Sequence, residues 1–371
     1  MPAEYQVGIL GGGQLARMTM IAAHQLGVKA ITLDTDAQSP AAQVGPAIVG
    51  SISVAADIAK VMACCEYVTF ENEFIPANTL REACELAGFD PERITPRIDT
   101  LETIQDKLSQ RSALIAAGVP SPRAVPAVNA AELGFPCVLK SRFGGYDGKG
   151  TRYARTEADY QAIMAEIDAD GWLAEEFVAF KRELSVMVCA GETTSCFPAM
   201  VTEQTNHVCD LVYEVEDPRV AERAVDVAFA AIRAVNGQGL FGVELFEHSD
   251  GSISVNEIAP RPHNSGHYTL DWGGTSQFEA HVLLTIGSFS GPRRGELTCM
   301  ANLLGQEGAK DYLVALRELA KKHPEVRMHW YGKAEAKPGR KMGHINVCGE
   351  TNSVKWASDA RETFYKAWVN Q

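Results

Sequence analysis

A short apolar strand that runs into a glycine-rich turn and then an amphipathic helix leaves a chain few folds to choose from, and this chain begins that way. Val7 to Leu10 is followed by Gly11-x-Gly13-x-x-Ala16, a helical stretch from Gln14 to Leu26 stopped by Gly27, and a second apolar run from Ala30 to Leu33. Leu15, Met18, Ala22 and Leu26 fall near one helical face, and Gly27 suits the left-handed position past a helix end. The pattern predicts a βαβ unit. Apolar runs at Ala47 to Val49 and Tyr67 to Phe70, with a helix from Ala77 to Ala87 closed by Gly88, extend it into a parallel sheet covered on both faces and ending near Pro96.

With 371 residues, the chain has room for two or three domains at about 100 to 200 residues each. A helix with Leu101, Ile104, Leu108 and Ile115 on its apolar side is predicted to run to Gly118, where Val119-Pro-Ser-Pro breaks it and supplies a hinge. Beyond lie a strand at Cys137 to Lys140, a glycine-rich stretch, a strand at Trp172 to Val178 and a hairpin through Leu184 to Phe197, a small α+β unit suited to move as a lid. A larger α+β region follows, with a helix opened by Asp217-Pro218 and closed by Gly237, and a hairpin turning at Asp250-Gly251. The division expected is 1–98 for the first domain, 119–190 for the lid, and 99–118 with 191–371 for the central and C-terminal domain.

The formal net charge of −13 repels phosphate backbones and anionic lipid, so neither nucleic acid nor a membrane is expected as a partner. No basic segment followed by an apolar stretch opens the chain, and no run approaches the roughly 18 apolar residues of a membrane span, which predicts a cytoplasmic protein. Nine cysteines is an odd count, Cys64 and Cys65 are adjacent and no C-x-x-C pair occurs, so neither a disulfide framework nor a zinc knuckle is expected.

Five constellations could carry chemistry. Asp34 lies 21 residues beyond Gly13, the spacing of a dinucleotide fingerprint, although the same turn serves doubly wound domains that bind other phosphates or nothing. Lys140-Ser-Arg-Phe-Gly-Gly-Tyr-Asp-Gly-Lys-Gly150 puts its lysine before the glycines, unlike a Walker loop, and fits a mobile loop laid over a polyphosphate; an ordinary surface turn competes. Glu244 and Glu257 sit on two runs joined by a turn, where paired strands would set the carboxylates side by side. Two abutting carboxylates repel without a cation, which points to magnesium on a nucleotide with Asn256 as a further oxygen ligand, against a solvated cross-strand pair. Arg261-Pro-His263-Asn264-Ser265-Gly266-His267 crowds donors beside that site, with Pro262 and Gly266 favouring irregular backbone and anion recognition over zinc. Finally, Tyr331-Gly-Lys333 and Pro338-Gly-Arg340-Lys341-Met-Gly-His344 cluster positive charge in an acidic chain, either as a phosphate pocket or as a solvated basic turn.

These elements, in this order, resemble the ATP-grasp superfamily. Within it, GILGGGQLARM, GGYDGKG, NEIAPRPHNSGH, HWYGK and PGRKMGH are similar to the 5-(carboxyamino)imidazole ribonucleotide synthases, ATP-dependent carboxylases of purine biosynthesis, across nearly the whole chain. The resemblance implies a mixed α/β and α+β ATP-grasp fold, with a Rossmann-like N-terminal domain, a small lid and a central domain. It further implies a homodimer acting on ATP, bicarbonate and 5-aminoimidazole ribonucleotide with Mg2+, two ions being expected.

By the same resemblance, ATP contacts fall on Lys107, Lys140, the loop Gly145, Tyr146, Asp147, Gly148, Lys149, Gly150 and Thr151, the strand Glu175, Glu176, Phe177 and Val178, and Glu183, His207, Asn256 and Glu257. Magnesium falls to Glu244 and Glu257, and bicarbonate chemistry to Arg261, His263, Asn264, Ser265 and Lys333. The ribonucleotide falls to Gly13, Gln14, Leu15, Glu71, Tyr146, Asp147, Arg340 and Lys341. One run departs from the family: its E-N-x-H becomes Glu203-Gln-Thr-Asn206-His207, with the histidine one position late. A formate-dependent ribonucleotide transformylase, a noncatalytic nucleotide-binding protein and a dehydrogenase are the alternative readings.

Overall fold

The structure is a computed structural model that describes residues 3–145, 150–349 and 353–370. Its strands form three sheets. The first is parallel throughout, in the order β3-β2-β1-β4-β5, from β1 (Tyr5–Leu10), β2 (Ala30–Asp34), β3 (Ala47–Val49), β4 (Cys65–Phe70) and β5 (Ile94–Thr95). Helices α1 (Gln14–Gln25), α2 (Ala55–Cys64) and α3 (Ala77–Ala87) cover it, and Gly88 closes α3 in the left-handed conformation at φ 61°. Buried Leu10, Leu33, Val68 and Phe70 on this sheet meet Ile58, Val61 and Leu80 of the helices.

A small antiparallel sheet, ordered β6-β9-β7-β8, follows from β6 (Ala124–Pro126), β7 (Cys137–Ser141), β8 (Thr151–Ala154) and β9 (Trp172–Glu176). The third sheet has nine strands: β10 (Arg182–Ala190), β11 (Thr194–Cys196), β12 (Met200–Thr205), β13 (Val208–Glu214), β14 (Gly239–Glu247), β15 (Ile253–Ala259), β16 (Thr298–Leu304), β17 (Arg327–Trp330) and β18 (Lys341–Cys348). Its path runs β15-β14-β10-β12-β13-β16-β18-β17, with β11 on β10. The remaining helices are α4 (Ile98–Gln105), α5 (Lys107–Ala116), α6 (Glu157–Met164), α7 (Pro218–Ala234), α8 (Gln277–Thr285), α9 (Tyr312–Lys322) and α10 (Ser353–Val369).

Three expectations need correction. Residues 182–190, placed with the lid, form β10 near the middle of the large sheet, where nine residue pairs join it to β14. The single helix expected to reach Gly118 is two helices, because Asp106 is extended at its ψ of 104° and caps α5 by accepting from Leu108 N. That break rotates the buried face onto Gln110, Arg111 and Leu114 and leaves Ile115 exposed. The strand from Trp172 stops at Glu176, so Phe177 and Val178 lie beyond it. Among the described residues, no helix is long and apolar enough to cross a membrane.

Candidate active site

Between the small sheet and the nine-stranded sheet lies a cavity of about 890 Å3. Hairpin register puts two carboxylates on its floor: Glu244 of β14 pairs directly with Glu257 of β15, at an irregularity between Glu244 and Leu245. Burial, then the neighbouring charges of Glu257 and Glu183, push the Glu244 carboxyl up to about 7. Burial would also raise Glu257, but Lys107 beside it holds that carboxyl below its ordinary range. Lys107 Nζ donates directly to Glu257 Oε1. Asn256 Nδ2 lies 3.4 Å from Glu244 Oε2. A cation with open coordination would relieve this repulsion. Among the described residues no group of three or more His, Cys, Asp or Glu is arranged to hold a metal.

Above the floor, Arg111 and Glu175 form a buried pair, 2.7 Å from Nε to Oε1. Lys140 Nζ reaches the other Glu175 oxygen, also at 2.7 Å. Arg111 additionally donates to the carbonyls of Val255 and Asn256. Burial alone would raise Glu175, yet these two cations hold it down at about 2. The side chain of Glu175 therefore ties the small sheet to α5 and β15, and only its backbone remains for a ligand.

The turn after β15 is locally helical from Asn264 to Leu270, with His263 at its N-cap. His263 Nδ1 is 2.8 Å from Ser265 Oγ, which meets Ser185 Oγ at 2.6 Å, and His263 Nε2 is 3.4 Å from Glu244 Oε1. Burial, then Arg261 and Lys341, hold His263 well below its ordinary pKa, so the imidazole is neutral. Asn264 and Asn302 exchange amide hydrogen bonds of 3.0 and 2.7 Å. Arg261 turns instead to the N-terminal domain and grips Glu73 with Nε at 2.5 Å and Nη2 at 2.9 Å.

Two residues before Glu73, the Glu71 carboxylate accepts from Gly13 N at 2.7 Å and Ala16 N at 2.9 Å, at the start of α1. Asp34 accepts from Gly12 N. The place a pyrophosphate takes in a dinucleotide fingerprint is thus filled by the protein's own anion. A Cβ on Gly13 would lie 2.4 Å from Glu71 Oε1. Gly13→Ala should therefore lower stability by about 1–3 kcal/mol, read as a shifted denaturant midpoint with unchanged slope; an unshifted midpoint would show that Glu71 moves aside freely.

Comparison with known proteins places this geometry. Residues 5–105 match the ribonucleotide synthetase preATP-grasp domain, 119–278 the ATP-grasp domain, and 298–355 the phosphoribosylaminoimidazole carboxylase C-terminal domain. The N5-carboxyaminoimidazole ribonucleotide synthase of Synechococcus elongatus is 40% identical over 357 residues, covering 92% of this chain and 89% of that protein. This chain belongs to the N5-carboxyaminoimidazole ribonucleotide synthase family. Among solved structures, the Staphylococcus aureus N5-carboxyaminoimidazole synthetase complexed with ADP has a TM-score of 0.86 at 31% identity, covering 98% of each chain. The Aspergillus clavatus N5-carboxyaminoimidazole synthase, in complex with ADP and 5-aminoimidazole ribonucleotide, has 0.87 at 30%, covering 99% of this chain and all of that one.

Of the positions expected from the synthase family, Lys107, Lys140, Gly145, Gly150, Thr151, Glu175–Val178, Glu183, Glu244, Asn256, Glu257, His263, Asn264 and Lys341 line the cavity. Tyr146, Asp147, Gly148 and Lys149 lie outside the described residues. His207 lines it as well: with Asn206 it forms the two-residue turn between β12 and β13, both at positive φ (64° and 53°), and its ring stacks on Tyr153 of β8 at 6.1 Å. The late histidine thereby bridges the two sheets at the cavity.

Other expected positions sit differently. Leu15 is buried with Phe278 and Tyr331, so its side chain packs in the core. Buried Ser265 holds His263 and is not on the cavity lining. Lys333 and Arg340 are also off that lining; Lys333 Nζ donates to Lys341 O at 2.6 Å, and exposed Arg340 donates to Glu335 O. Arg111, Glu73, Asn302 and Gln277 were missed. Only Arg111 carried a signal in the sequence: it falls at helical spacing on the apolar side expected from Leu101, Ile104, Leu108 and Ile115.

Proposed function

We propose that the chain carboxylates 5-aminoimidazole ribonucleotide with bicarbonate and ATP, releasing ADP and phosphate. The observation that carries this reading is Arg261. It leaves the strand that bears Glu257 and ends on Glu73, beside the Glu71-capped glycine loop, and so joins the two halves of a composite site. In this reading a bicarbonate oxygen attacks the γ-phosphorus and the bond to ADP breaks, giving carboxyphosphate. The acceptor amine then forms the N–C bond, the C–O bond to phosphate breaks, and phosphate carries off the amine proton.

Lys107 and Lys140 would neutralise the ATP phosphates, the backbone of 175–178 would meet adenine, and Glu183 the ribose. His263, held neutral, would offer a hydrogen bond beside Arg261, while the Asn264 and Lys333 donors stabilise charge developing on the carboxyl oxygens. Glu244 and Glu257 would hold magnesium, which when bound draws charge from the phosphate oxygens. A homodimer is part of the same proposal.

The test is ADP and carboxylated nucleotide measured in one reaction. One ADP per product, dependent on bicarbonate, is expected. Turnover with formate instead would assign a transformylase, and ATP binding without any turnover a noncatalytic protein. Arg340 and Lys341 would recognise the ribonucleotide phosphate. Because that phosphate does not react, Arg340→Ala should raise the KM for the ribonucleotide roughly ten- to a hundredfold, the size of one lost charged hydrogen bond, and leave that for ATP unchanged. An equal rise in both would point to a structural role.

A further inference from the structure

The turn that carries His263 is held from behind by a side chain that does not reach the cavity. Gln277, the first residue of α8, is fully buried with its amide against the His263 peptide. Its Oε1 accepts from His263 N at 2.9 Å, its Nε2 donates to His263 O at 2.8 Å, and Nε2 also lies 2.9 Å from His267 Nδ1. A backbone N–H only donates and a carbonyl only accepts, so the orientation of the amide is fixed. Its second N–H then goes to His267 Nδ1, which must accept, leaving the His267 proton on Nε2. Burial holds His267 well below its ordinary pKa, consistent with that neutral form.

Gln277 grips the far end of the turn through its backbone. Gln277 N donates to Thr269 Oγ1 at 2.9 Å, and that hydroxyl donates to Gly266 O at 2.6 Å. A Cβ on Gly266 would come within 2.5 Å of Gln277 Oε1, so the approach requires glycine. The next residue, Phe278, packs with Leu15 and Met18 of α1, the helix that starts at the ribonucleotide loop.

We propose that Gln277 is a positioning residue for carboxyl transfer: its amide clasps the His263 peptide and so fixes the imidazole and the Asn264 donor against bicarbonate. This rests on the carboxylation reading above. The clasp sets geometry to a fraction of an ångström without touching substrate, and misplacement of about 1 Å can cost roughly a hundredfold in rate.

Two near-isosteric replacements in the full chain test it. Gln277→Glu keeps the acceptor but turns a second oxygen toward the His263 carbonyl and His267 Nδ1; Gln277→Met keeps volume and loses all three amide bonds. In each, kcat should fall roughly ten- to a hundredfold and the KM for bicarbonate rise while the KM for ATP stays nearly native; the thermal midpoint should drop as well, because buried groups lose their partners. Native kcat and bicarbonate KM in both variants would overturn the proposal, as would a parallel rise in the KM of every substrate. Histidine ring 15N spectra give a readout that needs no turnover: His267 Nδ1 should lose its hydrogen-bonded shift in Gln277→Met. Absent bicarbonate-dependent turnover in the native chain would remove the carboxylation reading, whereas an unchanged His267 signal in the variant would remove the clasp itself.

Discussion

Glu257→Gln should reduce kcat by two or more orders of magnitude at saturating magnesium, an order-of-magnitude expectation for losing a ligand to a catalytic cation, while the protein stays folded. Glu244→Gln should act in the same direction by a different balance. Glu244 is the carboxyl pushed up to about 7, so near neutrality part of the free protein carries it protonated, and its neutral analogue should fold at least as well as the native chain. Glu257 is the charge that Lys107 holds, and its removal also strands that lysine. The two variants should therefore separate: Glu244→Gln more stable than Glu257→Gln, both nearly inactive. Near-native turnover in both would remove the cation from this floor, and the reverse order of stability would contradict the charge assignment.

The largest effect on stability should come from Arg111→Met. The side chain is 2% exposed and holds Glu175 and two carbonyls of β15, so its loss leaves a buried carboxylate with Lys140 alone and two carbonyls unpaired. Breaking a buried pair from one side costs about 3–5 kcal/mol. Glu175, at about 2 in the folded protein against 4.5 ordinarily, contributes stability that is complete above 4.5 and lost as pH falls toward 2. In Arg111→Met that carboxyl should titrate higher, and acid unfolding should begin at higher pH. Adding Glu175→Gln should recover part of the loss, because the stranded charge goes with it. Two independent, additive losses in this double variant would mean the pair is not coupled.

How much of this was legible in the sequence depended on the range of the interaction. Strand and helix ends set by glycine, proline and capping residues were readable, as at Gly88 and at Asp217, which accepts from Arg219 N at the start of α7. The Glu244–Glu257 pairing was readable because a short hairpin fixes its own register. What escaped were side chains whose partners lie far along the chain. Asp106 reads as one more polar residue in a helix until Arg142 grips it from 36 residues away. Leu15 reads as part of a ligand loop, but α8 packs over it. Glu71 sits in an unremarkable acidic run, and only the parallel alignment of β1 with β4 brings it under the first glycine turn. Tertiary context decided each of these, and no local pattern encodes it.

Helix α10 also sets an order for biosynthesis. Ala357, Ala360, Phe364 and Trp368 of α10 are buried against Ala301 and Leu303 of β16 and Ile345 and Val347 of β18, while Tyr365 Oη accepts from Leu304 N. Strand β16 supplies Asn302 to the Asn264 amide pair, and β18 begins with Lys341 on the cavity lining. A nascent chain emerging N-terminus first can complete its parallel sheet and its carboxylate hairpin early, yet it must extend past α10 before this wall of the cavity is held in place. Intermediates not yet extended past α10 would thus carry an unfinished active site, and ligand binding would report the docking of that helix more faithfully than the appearance of secondary structure.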